Sequence, residues 1–384
     1  MEPRVLLSKT FVVDNTGNDG LGSLRWAISQ VNTDPTDSAT DRDVIDFNIP
    51  GNGTPQTIHV TTPNDASLLI SQPVFIDGTS QPGFDPAKNL PMIAIDGSQL
   101  APSRYPNSGL VLRGGGNTEL LALDIEKFPA AGRDIESDGN LVKGCFIGVD
   151  PTGTTAAGNM QGIFIAGKDN VIGGTDSPVI PNVISGNVGV SYDTSRGDGI
   201  VIHGDNSGAG STGNIIVENI IGASVNGKFA IPNAGDGIHI EGIPEDVRNT
   251  TIGGPDGFDL NNIAGNKGWG IRFDVSPFGT TDYTTGALIG PGNLIGVSFN
   301  PQPIPNRLGG IDLGSSSGNT VGGFIGDNGG PGIRSASADG GVNSGVGNRI
   351  SAQVYGNAGT EAVVFSGGNT TPATAPPTRP TSAW

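Results

Sequence analysis

Apolar side chains recur along most of the chain in short groups with a period of two, such as VIGG (171–174), VISG (183–186) and GIVI (199–202). Glycine or asparagine brackets these groups, and both residues tolerate the left-handed backbone region that sharp turns require. The groups are too short for helices, which usually run over about 8–20 residues in globular proteins. The pattern therefore predicts many short strands separated by tight turns.

Two kinds of unit alternate along the chain. The stretches 139–165, 213–240 and 292–313 each begin with Gly-Asn and an apolar strand, and each reaches a Gly-Ile-x-apolar group. A second series, 170–202, 249–273 and 319–335, lies between them. Stacked units of several short strands predict a parallel β-solenoid. A β-propeller is the alternative, and it is disfavoured because aromatic residues make up only 5% of the chain and no blade motif occurs.

The N-terminal part of the chain is expected to close one end of the solenoid. A helix is predicted over 23–34, with Ser23 as its N-cap and apolar side chains on one face, and strands are predicted at 43–49, 57–60, 68–78 and 92–97. We divide the chain into an N-terminal segment and cap (1–50), a parallel β-helix (51–366) and a Thr/Pro-rich linker or tail (367–384).

The candidate site follows from stacking the Gly-Ile-x-apolar groups at 162–165, 199–202, 237–240, 270–273 and 310–313 in register. Strand alternation turns the isoleucine inward and the next residue outward, and neighbouring rungs lie about 4.8 Å apart. The outward columns are Phe164, Val201, His239, Arg272, Asp312 and Ala166, His203, Glu241, Asp274, Gly314. Their ionisable members form one predicted patch of candidate catalytic residues: His203, His239, Glu241, Arg272, Asp274 and Asp312. A slip in register would break this prediction.

Several chemistries fit such a patch. Glu241 and Asp274 on adjacent rungs approach the carboxylate spacing of about 5–5.5 Å of retaining glycosidases, and neighbouring carboxylates split their pKa values. Alternatively these two residues hold Ca²⁺ while Arg272 or a histidine removes a proton from a sugar ring. A transition metal held by His203, His239 and a carboxylate is a third possibility. The purely structural reading is that these residues form cross-strand ion pairs.

Other residues are weaker candidates. Trp269 and Tyr283 lie in or near the loops around the patch and are candidate sugar-binding aromatics, although Trp269 can equally pack under a loop. Asp198 and Asp236, in Gly-Asp-Gly, are assigned to turns. The single cysteine, Cys145, lies in an apolar run and is expected to be a small core residue.

Composition narrows the choice of partners. The chain of 384 residues contains 64 glycines and carries a formal net charge of −17. We find no basic stripe, so we expect no nucleic acid as a partner. The same charge disfavours anionic membranes and polyuronates unless a cation bridges the charges. No stretch reaches transmembrane length, and the N-terminal residues lack the apolar core of an ordinary signal peptide.

The order of phrases GSLRWAISQVN, VIDFNIPG, PVFIDGTSQPGF, IGVDPTGT and NVISGN resembles bacterial right-handed parallel β-helix repeat proteins. The leading EPRVLLS resembles a short motif at the start of many large surface proteins of this type. The resemblance spans most of residues 10–360 and implies an all-β, single-stranded right-handed parallel β-helix. It also implies a secreted or cell-surface location. It supplies no catalytic signature.

The function that we predict is interaction with an extended extracellular glycan on the outward sheet face. Cleavage of that glycan would make the protein a glycoside hydrolase or a polysaccharide lyase, with Ca²⁺ as a candidate cofactor. The alternative is a non-catalytic surface or adhesive repeat domain. The sequence predicts neither the glycan nor the oligomeric state.

Overall fold

The structure is a computed structural model. It describes residues 8–34, 38, 40–61, 68–100, 107–174, 180–189, 197–204, 210–242, 247–254, 259–274, 284–298, 302–335, 347–358 and 363–365. Within these residues the chain forms three long parallel sheets of 11, 10 and 10 strands and one short sheet of three strands. This is the predicted right-handed parallel β-helix, an all-β solenoid.

Each complete coil of the solenoid contributes one strand to each long sheet, and the N-terminal strand Thr10–Val13 adds an eleventh strand to sheet 1. Sheet 1 contains Thr10–Val13, Asp43–Phe47, Val74–Asp77, Glu119–Leu121, Leu141–Lys143, Val171–Ile172, Ile215–Ile216, Thr251–Ile252, Leu288–Ile289, Thr320–Val321 and Arg349–Ile350. Sheet 2 contains Gln56–His59, Ile93–Asp96, Leu123–Glu126, Phe146–Ile147, Asn182–Ile184, Asn219–Ile221, Asn262–Ile263, Leu294–Ile295, Phe324–Gly326 and Gln353–Tyr355. Sheet 3 contains Leu68–Ile70, Leu110–Leu112, Ala131–Ile135, Gln161–Ile165, Ile200–His203, Ile238–Glu241, Trp269–Phe273, Gly309–Asp312, Ile333–Ser335 and Val363–Phe365. The short sheet contains Ser211–Thr212, Val247–Arg248 and Thr284–Thr285.

The core is the interior of the coil, and isoleucine stacks on isoleucine there. Ile163, Ile200, Ile238, Ile271 and Ile311 pair in register along sheet 3, and each is fully buried. Burying one such side chain stabilises a fold by about 1.5–3 kcal/mol. The column explains why every unit carries the same Gly-Ile phrase.

An asparagine ladder runs beside this column at the turn that leads into sheet 3. Among its members, Asn233 donates from Nδ2 to Asn266 Oδ1 at 2.9 Å, and Asn266 donates to Asn306 Oδ1 at 2.9 Å. The glycine before each isoleucine makes room for the ladder. A Cβ atom at Gly237 would lie 2.6 Å from the carbonyl oxygen of Gly270 and 2.9 Å from Nδ2 of Asn266.

The predicted cap is present as the helix Leu24–Asn32, the one α-helix among the described residues. Ser23 is its N-cap and accepts a hydrogen bond from the amide of Trp26. The helix buries Leu24, Ala27, Ile28 and Val31 against the core and packs on the first coil. This helix does not have the length or apolarity to cross a bilayer, nor does any other described part of the chain form one that does.

One predicted strand differs from the structure. The stretch 68–78, predicted as one strand, is divided into Leu68–Ile70 in sheet 3 and Val74–Asp77 in sheet 1. Pro73 lies at the corner between them, where its missing N–H removes no ladder hydrogen bond. Asp43–Phe47 pairs with Thr10–Val13 on one side and with Val74–Asp77 on the other, so sheet 1 continues across residue 50, and the division of the chain at this residue stays a prediction. The predicted tail, 367–384, lies outside the described residues.

Candidate functional site

The register on which the predicted patch depends is confirmed. Val201 pairs with His239, His239 with Arg272, and Arg272 with Asp312 along the first column. In the second column His203 pairs with Glu241. The amide of Asp274 donates to the carbonyl oxygen of Ile240 at 2.9 Å, which places Asp274 on the next rung. Sheet 3 therefore brings the predicted residues to one stretch of its outer face.

The first column is more enclosed than predicted. His239 was expected on an open surface, but it is fully buried, and Val201 and Asp312 are also buried. The carboxylates of Asp198, Glu241 and Asp274 enclose the His239 ring, which explains how a side chain on the outer face is removed from solvent.

His239 is the centre of the cluster. Its Nδ1 lies 3.2 Å from Asp198 Oδ2 and 3.3 Å from Glu241 Oε1, and its Nε2 lies 3.1 Å from Asp274 Oδ1. Burial by itself lowers the pKa of His239, but the contacts with Asp198 and Asp274 outweigh burial and raise it to about 10. His239 is therefore an imidazolium at neutral pH, and it cannot accept a proton from a substrate in that state.

His203 and Glu241 form an accessible pair above this imidazolium. Nδ1 of His203 lies 3.0 Å from Glu241 Oε2, and the two side chains are 26% and 27% exposed. Burial raises the pKa of Glu241, but the hydrogen bond from His203 and the charge of His239 lower it below its ordinary value overall. With Glu241 as a carboxylate, Nδ1 of His203 is the donor in this contact, and in the neutral imidazole Nε2 of His203 is then the proton acceptor.

Arg272 and Asp274 form the neighbouring accessible pair. The Nη2 atom of Arg272 lies 3.0 Å from Asp274 Oδ1, and the side chains are 25% and 20% exposed. The Nη1 atom of Arg272 reaches Asp236 Oδ2 at 3.6 Å. Asp274 is thus held between the guanidinium of Arg272 and the imidazolium of His239.

Asp198 and Asp236, assigned to turns, belong to the buried base of the site. The amide of Asp236 donates to Asp198 Oδ1, and the amide of Trp269 donates to Asp236 Oδ1, each at 2.6 Å. Their second oxygens contact His239 and Arg272, respectively. The sequence contains the signal for this role, because both aspartates precede the glycine of the stacked Gly-Ile groups.

Asp312 belongs to a separate ion pair at the edge of the patch. Arg334 Nε donates to Asp312 Oδ1 at 3.0 Å, and the Arg334 guanidinium lies 4.6 Å above the centre of the Trp269 ring. Sequence reasoning did not select Arg334, which lies one rung beyond the groups that were compared. Trp269 is only 5% exposed, so sugar stacking on it requires Arg334 to move, and its binding role stays a prediction. Tyr283 lies outside the described residues.

A half-buried aromatic ring does accompany the His203–Glu241 pair. The ring of Phe164, half-buried on the preceding rung, lies 5.5 Å from the His203 ring at an interplanar angle of 33°. Phe164 therefore offers an apolar surface beside the accessible histidine.

Two overlapping triads can geometrically hold a metal ion. Asp198, Asp236 and His239 form one, and His239, Glu241 and Asp274 form the other, each with its ligand atoms within 4.8 Å of one another. One nitrogen and two oxygens match the donors that zinc-like ions accept, whereas Ca²⁺ takes about six to eight oxygens. Metal binding would also require His239 to lose its proton, and the surrounding carboxylates oppose this loss because they stabilise the imidazolium. The residues therefore fit Ca²⁺ poorly.

Comparison with known proteins identifies the architecture. No family model matches the sequence, and neither does any curated protein. The Dettilon tailspike protein matches with a TM-score of 0.50 and 15% identity, over 91% of this chain and 63% of the tailspike chain. A double mutant of the periplasmic alginate epimerase AlgG matches with a TM-score of 0.46 and 14% identity, over 85% of this chain and 65% of the epimerase chain. PfbA, a surface adhesin of Streptococcus pneumoniae, matches with a TM-score of 0.36 and 11% identity, over 95% and 91% of the two chains.

This chain spans less than two thirds of the tailspike and epimerase chains. At 15% identity, the match to the tailspike protein establishes a shared fold and no shared chemistry. The resemblance of the N-terminal residues to a surface-protein motif stays a prediction.

Proposed function

We propose that the protein binds an extended extracellular glycan along the outer face of sheet 3 and cleaves it by proton transfer through His203. The observation that carries this proposal is the His203–Glu241 pair, with its 3.0 Å contact and its quarter-exposed side chains above a buried imidazolium. Carboxylate-oriented histidines are the most common proton-transfer groups in enzymes. A secreted or surface location belongs to the same proposal.

The shape of the face supports a polymeric ligand. The outward columns repeat once per rung, about every 4.8 Å, across the ten strands of sheet 3. A chain molecule running across the strands would pass Phe164, His203, Glu241 and Asp274 in turn. Phe164 would stack on an apolar sugar face next to the reacting unit.

The protonation states favour elimination over hydrolysis. A glycoside hydrolase of the two-carboxylate type needs a protonated carboxylic acid with a raised pKa. The pKa of Glu241 is instead lowered, and Asp274 lies between two cations. In elimination, Nε2 of His203 would remove the proton on the carbon beside a uronate carboxyl group, and Arg272 would stabilise the negative charge that develops there. The electron pair of that C–H bond would form a carbon–carbon double bond as the glycosidic C–O bond on the neighbouring ring carbon breaks, and the leaving oxygen would take a proton from water.

The second candidate function is a non-catalytic adhesive surface. The observation that favours it is that every ionisable side chain of the patch already contacts another ionisable side chain. Such complete pairing is also what a purely structural network on a solenoid requires.

A depolymerisation screen separates these functions. The protein is incubated with a panel of uronate-containing and neutral polysaccharides, with and without a chelator, and both unsaturated ends and new reducing ends are measured. Unsaturated ends support the proposal, whereas reducing ends without unsaturation would replace elimination by hydrolysis. Binding to a polysaccharide array without either product would establish the adhesive function instead.

A further inference from the structure

Arg133 occupies a position inside the solenoid that isoleucine and leucine occupy in neighbouring coils. It lies in the strand Ala131–Ile135 of sheet 3 and pairs with Leu110 on one side and Ile163 on the other. Its side chain is fully buried, and it is the largest fully buried side chain among the described residues. Asp134, the next residue, alternates to the opposite face of the sheet, so it does not share the interior with Arg133.

The guanidinium of Arg133 lacks a hydrogen-bond partner within the described part of the chain. This holds for Nε and for both terminal nitrogens. Burial lowers the pKa of Arg133 to about 10, so the group still carries its charge at neutral pH. A buried and uncompensated cation destabilises the folded state by several kcal/mol. An isoleucine at the same position in the column would stabilise it instead.

The coil that contains Arg133 also contains an unusually small residue at an opposite position. Cys145 is fully buried and precedes Phe146, just as Leu123 precedes Asp124 and Asn182 precedes Val183 in the adjacent coils. The thiol of Cys145 fills less volume than the leucine at the same position on the preceding coil. Cys145 is also the titratable group that acts electrostatically on Arg133.

We propose that Arg133 forms an interior binding site for a small monovalent anion such as chloride. One anion balances the single charge of the guanidinium and accepts hydrogen bonds from its unpartnered nitrogens. A water molecule would accept hydrogen bonds but would leave the charge uncompensated. Deprotonation of Cys145 is the competing explanation, and burial opposes it because it raises the pKa of this thiol.

The test is the dependence of unfolding on chloride. Wild-type protein is refolded in gluconate, an anion too large for the interior, and is titrated with chloride at constant ionic strength while unfolding is followed. Above the dissociation constant, each tenfold rise in chloride should raise the folding equilibrium constant about tenfold, because the anion binds only the folded state. Arg133→Met should show no such dependence, and Cys145→Ala should keep it.

Two results would overturn the proposal. One is that the folding equilibrium constant of wild-type protein depends on chloride no more than that of Arg133→Met does. The other is a thiolate ultraviolet absorption in folded wild-type protein at neutral pH that disappears in Cys145→Ala. Should Arg133→Met fail to fold, crystals of wild-type protein grown in bromide decide the question. An anomalous peak beside the Arg133 guanidinium supports the site, and its absence refutes it.

Discussion

At the residue scale, the candidate site is organised by an imidazolium that does not itself face the substrate. His239 neutralises part of the charge of Asp198, Glu241 and Asp274, which would otherwise repel one another in a buried space. By fixing Glu241, it also fixes the carboxylate that orients His203. We therefore regard His239 and Asp198 as positioning residues and His203 as the proposed catalytic residue.

This role predicts a particular dependence of stability on pH. The pKa of His239 rises from 6.5 in the unfolded chain to about 10 in the folded protein, so the folded state binds the proton more tightly. The resulting stability is fully present below about pH 6.5 and is lost as the pH rises to about 10. Its upper limit is about 5 kcal/mol, since one pKa unit corresponds to about 1.4 kcal/mol.

Urea unfolding between these pH values measures the effect. His239→Gln should be less stable than wild type at pH 6.5. Its free energy of unfolding should also fall less steeply between pH 6.5 and 10, because the contribution of His239 is removed. Both proteins retain the buried thiol of Cys145, so the difference between them reports His239 together with the carboxylates that it contacts. Parallel stability curves for the two proteins would show that His239 is neutral in the folded state.

The placement of these residues was predictable, but their burial was not. Alternation along the Gly-Ile groups was sufficient to put His203 beside Glu241 and His239 beside Arg272, because side-chain direction in a strand has a strict period of two. The enclosure of His239 depends on Asp198, which the sequence pattern assigns to a turn. Turn geometry decides where a short side chain points, and local sequence specifies that weakly.

At the element scale, the turn into sheet 3 is held by its asparagine ladder. Asn233 is fully buried and donates to the carbonyl oxygen of Ile184 and to Asn266 Oδ1, while its own Oδ1 accepts from Asn187. One side chain thereby satisfies backbone and side-chain groups on two neighbouring coils. The glycine column exists because this ladder leaves no space for a Cβ atom.

Removing one member of the ladder should be costly. Asn233→Ala leaves buried donors and acceptors on both neighbouring coils unsatisfied, at about 1–3 kcal/mol for each group. We expect a loss of at least about 3 kcal/mol in the free energy of unfolding, measured by denaturant titration.

Asn226→Ala is the matched control, because Asn226 lies in an exposed turn. It should change stability by less than about 1 kcal/mol. If both variants lose the same free energy of unfolding, an asparagine in the ladder stabilises the fold no more than an asparagine in an exposed turn.

Strand positions followed from the sequence better than coil corners did. The period-two groups specify where strands lie, and the predicted helix begins at its Ser23 N-cap as expected. The stretch 68–78 was assigned to one strand because its apolar residues are nearly continuous. The structure bends it at Pro73, since two strands of one coil belong to different sheets.

At the scale of the whole molecule, a strongly acidic solenoid presents one continuous face on which the candidate site lies near the middle. The formal charge is −17, whereas the cations near the site are Arg272, His239 and Arg334. An anionic glycan would therefore meet local attraction and long-range repulsion.

This balance predicts an inverted salt dependence for binding. Raising ionic strength to about 0.1 M shortens the Debye length to about 10 Å, which screens distant acidic groups more than the contacts within the site. The affinity for a uronate-containing glycan should rise as salt is added in this range, as calorimetry or a binding array can measure. A neutral glycan of equal length serves as the control and should be indifferent to salt. If the affinity for the anionic glycan falls as salt is added, attraction by the cations near the site outweighs repulsion by the distant acidic groups.

The most direct test of the central claim compares wild-type protein with His203→Gln and Glu119→Gln on a polysaccharide that the wild type cleaves. Glu119 is the matched control, because it is a similarly exposed side chain that pairs with Arg42 on sheet 1, away from the outer face of sheet 3. Loss of a general base should reduce the rate of product formation by about 100-fold or more in His203→Gln. Glu119→Gln should retain a rate within about twofold of wild type. Cleavage by folded His203→Gln at the wild-type rate would contradict the account.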